Sequence, residues 1–142
     1  KMDLGPIKDL VSELGLMNRI IWELGFIEDS RIGPLYKSSD LVIMPYRHID
    51  QSGILMGALN FGTPIIASNL GGFSDTISDG IHGYLFQPEN FVELGEKIEI
   101  FFQSDKTIKK MEANINNLSD TWPSWDEIAI KTSNNYLSVL HK

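Results

Sequence analysis

The stretch Met44–Gly72, MPYRHIDQSGILMGALNFGTPIIASNLGG, decides how this chain is read. An apolar run ends at Pro45-Tyr46, a polar loop follows, and a helix of small and apolar residues opens at Gln51-Ser52-Gly53. Gly62-Thr63-Pro64 then turns the chain into a second apolar run that closes on Gly71-Gly72. This pattern predicts a strand, a helix and a parallel strand, with a loop of ligand-binding type after each strand. Open parallel sheets take ligands at the carboxyl ends of their strands. A helix N-terminus there offers unpaired N–H groups and the positive end of a dipole to an anion. Small residues let a bulky anion reach the backbone.

Outward from this unit the chain remains α/β. Asp3-Leu4-Gly5-Pro6 introduces a helix with Ile7, Leu10, Val11 and Leu14 at its apolar positions and Gly15 as its stop. Ile20 to Phe26 alternates as a strand does, with Trp22, Leu24 and Phe26 on one face and Ile21 and Glu23 on the other. Asp29 or Ser30 caps a short helix through Ile32, Leu35 and Tyr36. The unbroken run Leu41–Met44 suits a parallel strand buried on both faces. Gly62 to Ser68 supplies the following strand, and beyond the central unit Gly83 to Phe86 supplies the last. Pro88-Glu89-Asn90 opens a helix with Phe91, Leu94, Ile98 and Phe101 or Phe102 inward. Another helix follows from about Lys106 to Leu118, and Trp122-Pro123-Ser124-Trp125-Asp126 caps a last one reaching Tyr136 and Leu140.

Composition bounds what the chain does. Its 142 residues, 42% of them hydrophobic, suffice for one domain with a real core. A net charge of −7 argues against non-specific nucleic-acid binding, although a local basic pocket can still hold a phosphate. With no cysteine, disulfides and thiolate metal sites are excluded, which fits a cytoplasmic protein. The sequence has no apolar run of about 18 residues and no leader of secretory type, so no membrane span is expected. His48, His82 and His141 lie far apart without clustered carboxylates, and no metal is expected. Neither a Walker loop nor a Gly-x-Gly-x-x-Gly run is present, which disfavours P-loop and ordinary dinucleotide enzymes.

Taken together, Pro45-Tyr46, Gln51-Ser52-Gly53, Gly57-Ala58-Leu59-Asn60, Gly62-Thr63-Pro64-Ile65-Ile66 and Gly71-Gly72-Phe73-Ser74-Asp75 resemble, in order and spacing, the donor-binding half of glycosyltransferase family 4. The resemblance implies a Rossmann-type doubly wound parallel sheet, the C-terminal half of a GT-B architecture. It implies a partial donor-binding domain over residues 1–142 that lacks the first two strands, the upstream Arg and Lys that clamp the diphosphate, and the acceptor domain. The Trp22 strand is then expected to pair directly beside the Leu41 strand or to be completed by another chain, with self-association through the incomplete sheet. Residues 121–142 correspond to a C-terminal helix that packs toward the acceptor domain. Any peripheral membrane contact belongs to that absent domain.

The implied activity is transfer of a hexose-type sugar, with retention and without a bound metal, from a UDP- or GDP-sugar to a glycan or lipid-linked acceptor. Bacterial surface-polysaccharide synthesis is the implied setting, and the isolated chain is expected to be inactive. Carried over residue by residue, the donor-binding set is Gly25, Phe26, Arg47, Asp50, Gln51, Ser52, Gly53, Ile54, Leu55, Gly71 and Gly72. Gly25 and Phe26 fall at the base edge by resemblance, while Phe26 read alone is a core aromatic. The N–H groups of Gly53, Ile54 and Leu55 suit a diphosphate, and Ser52 adds a hydroxyl or acts as a cap. Arg47 pairs with a phosphate, is solvated, or bridges to Asp50. Gly71, Gly72 and Asp75 serve the donor sugar or merely a turn and a helix cap.

No catalytic residue is assigned, and His48 lacks an orienting carboxylate. Two carboxylates of the family pattern are missing. The first falls at Ile49, with Asp50 adjacent, and the second, which grips the ribose, at Gly57. Those losses keep two other readings open. One is a non-catalytic sugar-nucleotide or partner-binding module, and the other a fragment of a nucleotide-sugar 2-epimerase.

Overall fold

Three short strands, β1 (Val42–Met44), β2 (Ile65–Ser68) and β3 (Gly83–Phe86), make a parallel sheet in the order β1-β2-β3 in the computed structural model. The structure describes residues 3–49 and 51–140. Val42 pairs with Ile65 and Met44 with Ala67 on one side of β2, and Ile65 pairs with Gly83 and Ser68 with Phe86 on the other. Helices α1 (Gly5–Glu13) and α2 (Asp29–Lys37) precede the sheet, α3 (Gly53–Asn60) and α4 (Gly71–Ser74) connect its strands, and α5 (Phe91–Phe102), α6 (Asp105–Ser119) and α7 (Trp125–Leu140) follow it.

Every residue of β2 is buried, as a central parallel strand covered on both faces requires. Because successive side chains alternate, Ile65 and Ala67 enter one core with Met44, Leu55, Leu59 and Phe73, whereas Ile66 enters another with Phe86, Phe101 and Met111. Helix α6 serves both cores, Met111 in one and Ile115 in the other. The sheet is thus sandwiched between helical layers, the doubly wound arrangement expected of the sequence.

Local chemistry explains where most helices begin. Ser52, Asn90 and Ser104 each accept a hydrogen bond from a backbone N–H three residues on, at 3.2, 3.1 and 3.3 Å. At α7 the cap is reciprocal: the Ser124 N–H donates to Glu127 Oε2 at 2.7 Å and the Glu127 N–H to Ser124 Oγ at 3.2 Å. Gly15 stops α1 with a left-handed φ of 68°. Helix α2 starts at Asp29 after Glu28, with no side-chain cap, so neither Asp29 nor Ser30 is the cap.

Three further expectations fail. Residues Ile20 to Phe26 are not a strand; the segment is irregular, with Ile21 88% and Phe26 91% exposed. Among the described residues it pairs with no strand, and β1 does not have it as a neighbour. Within it, Glu23 pairs with Arg31 of α2 at 2.7 Å on the surface, which lowers the Glu23 carboxyl pKa and raises that of Arg31. Alternation marks a strand only when a partner backbone stands beside it. Next, β1 is an edge strand rather than one buried on both faces, and Ile43 is exposed. Finally, Phe91, the first residue of α5, faces solvent at 81% exposure, while Phe101 is fully buried and Phe102 exposed.

Candidate functional site

The loops that leave β1 and β2 at their carboxyl ends, with the N-terminus of α3 between them, form the candidate site. Their positions are fixed by buried contacts. Ser68 Oγ donates to the Met44 carbonyl at 3.5 Å, joining the ends of the two strands. Tyr46, just past β1, packs on Phe73 of α4 with ring centroids 5.5 Å apart. Gly62, with φ 75°, makes the tight return from α3 into β2.

A cleft of about 520 Å³ lies between the start of α3 and helix α4, lined by Gln51, Ser52, Gly53, Leu55, Met56, Gly72, Asp75 and Thr76. Ser52 is the cap of α3, its Oγ taken by the Leu55 N–H at 3.2 Å. That removes one of the orphan N–H donors of the first turn, and a Ser-to-Ala loss at such a cap costs about 1 kcal/mol. Gly53 is the first helical residue and has open space where a side chain would project. Asp75 caps the end of α4 and is among the residues that line the cleft.

A second cavity, of about 500 Å³, lies on the other side of the α3 first turn, lined by Gly25, Phe26, Ile27, Ile32, Leu35, Tyr36, Ser39, Val42 and Ile54. Its wall is mostly apolar. The Tyr36 hydroxyl donates to the Ile54 carbonyl at 3.0 Å. Burial, with Tyr46 adding to it, pushes the Tyr36 phenol pKa up, so the phenol stays a neutral donor and acceptor.

The residues picked from sequence therefore divide between two cavities. Gln51, Ser52, Gly53, Leu55 and Gly72 line the first cleft, of mixed polarity, and Gly25, Phe26 and Ile54 the apolar cavity. Phe26 is an exposed lining residue, not a core aromatic. Arg47 is exposed and lies 3.3 Å through Nε from Glu89 Oε1, a pairing across the carboxyl ends of β1 and β3 that spacing along the chain does not suggest. Glu89 has a φ of 66°, a left-handed backbone unusual outside glycine. Gly71 opens the short helix α4. Asp50 lies outside the described residues, and so does His141.

Tyr36, Met56 and Thr76 line the cavities without having been singled out. Only Tyr36 left a trace in the sequence, through the glycine at position 57 that faces it. Among the described residues no group of three or more His, Asp or Glu side chains is placed to hold a metal ion. None of their helices is long and apolar enough to cross a membrane.

Residues 3–118 match the family model described as glycosyl transferases group 1. An uncharacterised glycosyltransferase of Methanocaldococcus jannaschii is 29% identical over 132 residues, covering 92% of this chain and 33% of the relative. Glycogen synthase of Pseudomonas savastanoi pv. phaseolicola is 36% identical over 86 residues, 60% of this chain and 17% of that enzyme. Among solved structures, Anabaena HepE in complex with UDP superimposes with a TM-score of 0.83 at 21% identity, over 95% of this chain and 36% of that one. Sucrose-phosphate synthase from Thermosynechococcus elongatus gives a TM-score of 0.83 at 22% identity, over 95% of this chain and 34% of that enzyme. At those identities the structural likeness is one of fold. The chain spans at most about a third of the length of these four proteins.

Proposed function

The chain belongs to the group 1 glycosyl transferases, and on that premise we propose that it forms the nucleotide-sugar-binding portion of a retaining hexosyltransferase. Its donor is a UDP- or GDP-sugar and its acceptor a glycan or lipid-linked sugar, in bacterial surface-polysaccharide synthesis. The observation that carries the reading is the pair of cavities flanking one helix N-terminus, a mostly apolar one walled by Gly25, Phe26 and Ile54 and one of mixed, more polar lining walled by Gln51, Ser52 and Gly53. A nucleoside diphosphate has that polarity. Its base needs an apolar slot and backbone contacts, and its diphosphate needs N–H donors and the helix dipole. That HepE has been solved with UDP supports the same assignment.

In this reading the free N–H groups of the first α3 turn stabilise the charge that develops on the leaving diphosphate. Gly71 and Gly72 border the donor sugar, and no metal takes part. Arg47 exchanges Glu89 for a phosphate oxygen, and Asp50 contacts the sugar from the same loop. The exposed apolar residues of α7, Trp125, Tyr136 and Leu140 among them, pack against an acceptor domain. The chain alone is inactive in this reading, self-associates through its open sheet, and works in the cytoplasm.

A second reading is favoured by Ile49 and Gly57, which stand where the family pattern has carboxylates. It makes the chain a non-catalytic sugar-nucleotide module. Turnover separates the two. The full-length polypeptide carrying this chain, given a panel of UDP- and GDP-sugars, is expected to release one nucleoside diphosphate and to form a product that keeps the donor's anomeric configuration. Binding without release from any donor selects the module, and an inverted product overturns the retaining assignment.

A further inference from the structure

Gly57 is the residue of α3 that faces Tyr36. A Cβ built there would lie 2.7 Å from Tyr36 Oη and 2.8 Å from Cε2 and Cζ of the ring, closer than real Cβ contacts occur. The phenol therefore occupies the volume into which a side chain at position 57 would project. Its place is further fixed by stacking on Phe61 at 5.5 Å between centroids, and its own backbone carbonyl accepts a bond from Thr63 Oγ1 at 3.1 Å. The hydroxyl is thus a held group and not a rotating surface one. It gives its proton to the Ile54 carbonyl at 3.0 Å, which leaves oxygen lone pairs available to accept.

Tyr36 and Ile54 both line the apolar cavity, while the neighbouring residues Gly53 and Leu55 line the cleft of mixed polarity at the start of α3. A ligand with a flat apolar end in the first and an anionic end at the second has to pass the Ile54 turn. The part of a nucleoside diphosphate that makes this passage is its hydroxyl-bearing sugar. We infer that the Tyr36 hydroxyl, in the space left by Gly57, accepts a hydrogen bond from a hydroxyl of the nucleoside and so selects ribonucleoside diphosphates over their deoxy counterparts. This rests on the nucleotide-binding reading above and adds to it a specificity-determining residue.

The test is a calorimetric comparison of the chain and its Tyr36→Phe variant, with whichever of UDP and GDP binds more tightly and with its 2′-deoxy and 3′-deoxy forms. Phenylalanine keeps the ring, its stacking and its packing on Gly57, and removes only the hydroxyl. The variant is expected to bind the ribonucleotide roughly fivefold more weakly and to bind one deoxy form as the wild type does. Gly57→Ala, which pushes the phenol from its place, is expected to lose the same discrimination and to add nothing further when combined with Tyr36→Phe.

An equal weakening for all three ligands would mean that Tyr36 only supports the first turn of α3, and it would overturn the inference while the nucleotide reading stands. Unchanged affinity in Tyr36→Phe would do the same. Failure of the folded wild-type chain to bind any of the ligands would overturn both.

Discussion

Gly83→Ala is expected to destabilise the chain by more than about 4 kcal/mol. Gly83 opens β3 directly beside Ile65, the first residue of the central strand, and its φ is 156°. A Cβ there would stand 1.8 Å from the Ile65 carbonyl oxygen and under 3 Å from the Ile65 backbone C and N. Ile65 belongs to the central strand and is held by a neighbour on each side, so β2 and β3 separate at their amino ends or the residue does not fit. Substitutions of that kind belong to the rare group costing more than about 4 kcal/mol. Total stabilities are only about 5–15 kcal/mol, so the loss takes from about a quarter to most of the folding free energy. Far-ultraviolet circular dichroism and urea denaturation measure it. Gly80→Ala is the control: φ is 74° and the side-chain space is empty, so only the left-handed backbone is penalised, by about 1–2 kcal/mol. Equal stability of the two variants would mean that β3 does not approach β2 as described.

Gly53→Asp does the opposite, keeping the fold and removing the proposed anion site. Gly53 is the first residue of α3, with a negative φ and open space around its Cα. A carboxylate at a helix N-terminus stabilises the helix by about 0.3–1 kcal/mol, and loss of glycine's freedom in the unfolded chain adds to that. The same charge faces any incoming diphosphate. At a separation of ~5 Å and an effective dielectric of ~20, each pair of like charges repels by about 3 kcal/mol. Affinity for UDP or GDP is therefore expected to fall on the order of a hundredfold while the denaturation midpoint rises or holds. Gly53→Ser, uncharged, is expected to retain most of the affinity. If the aspartate variant binds as the wild type does, the diphosphate does not sit at this helix.

What the sequence made legible is local. The Ser52 cap, the glycine return at Gly62, the strand Gly83–Phe86 and the stop at Gly15 each depend on chemistry within a few residues, and each stands where the residues indicate. The Ile20 to Phe26 segment shows the limit. Its alternation is that of a half-buried strand, but a strand also needs a neighbouring backbone, and that is a property of the whole sheet. Phe91 fails for another reason. Period alone does not say how the first turn of a helix is rotated against the core, and Phe101 rather than Phe91 or Phe102 is fully buried.

The site divides in the same way. Gln51 to Leu55 could be read because a cap and a helix start announce themselves, whereas the Arg47–Glu89 pair and the Tyr36–Gly57 contact join residues far apart in the chain. A glycine inside a helix, where it costs about 1 kcal/mol against alanine, was the one visible sign that a neighbour had claimed the space at position 57.

The most direct test of the central claim is a residue-resolved NMR titration of the isotope-labelled, folded chain with UDP and with GDP. A bound diphosphate takes up the free N–H groups at the start of α3, and a bound base lies along the apolar cavity. Saturable amide shifts at Gly53, Ile54 and Leu55, joined by Gly25 and Phe26, are the predicted result, with the tighter nucleotide naming the base. A folded chain in which these amides stay unmoved at about millimolar ligand, well above the affinities usual for nucleotide substrates, would contradict the account.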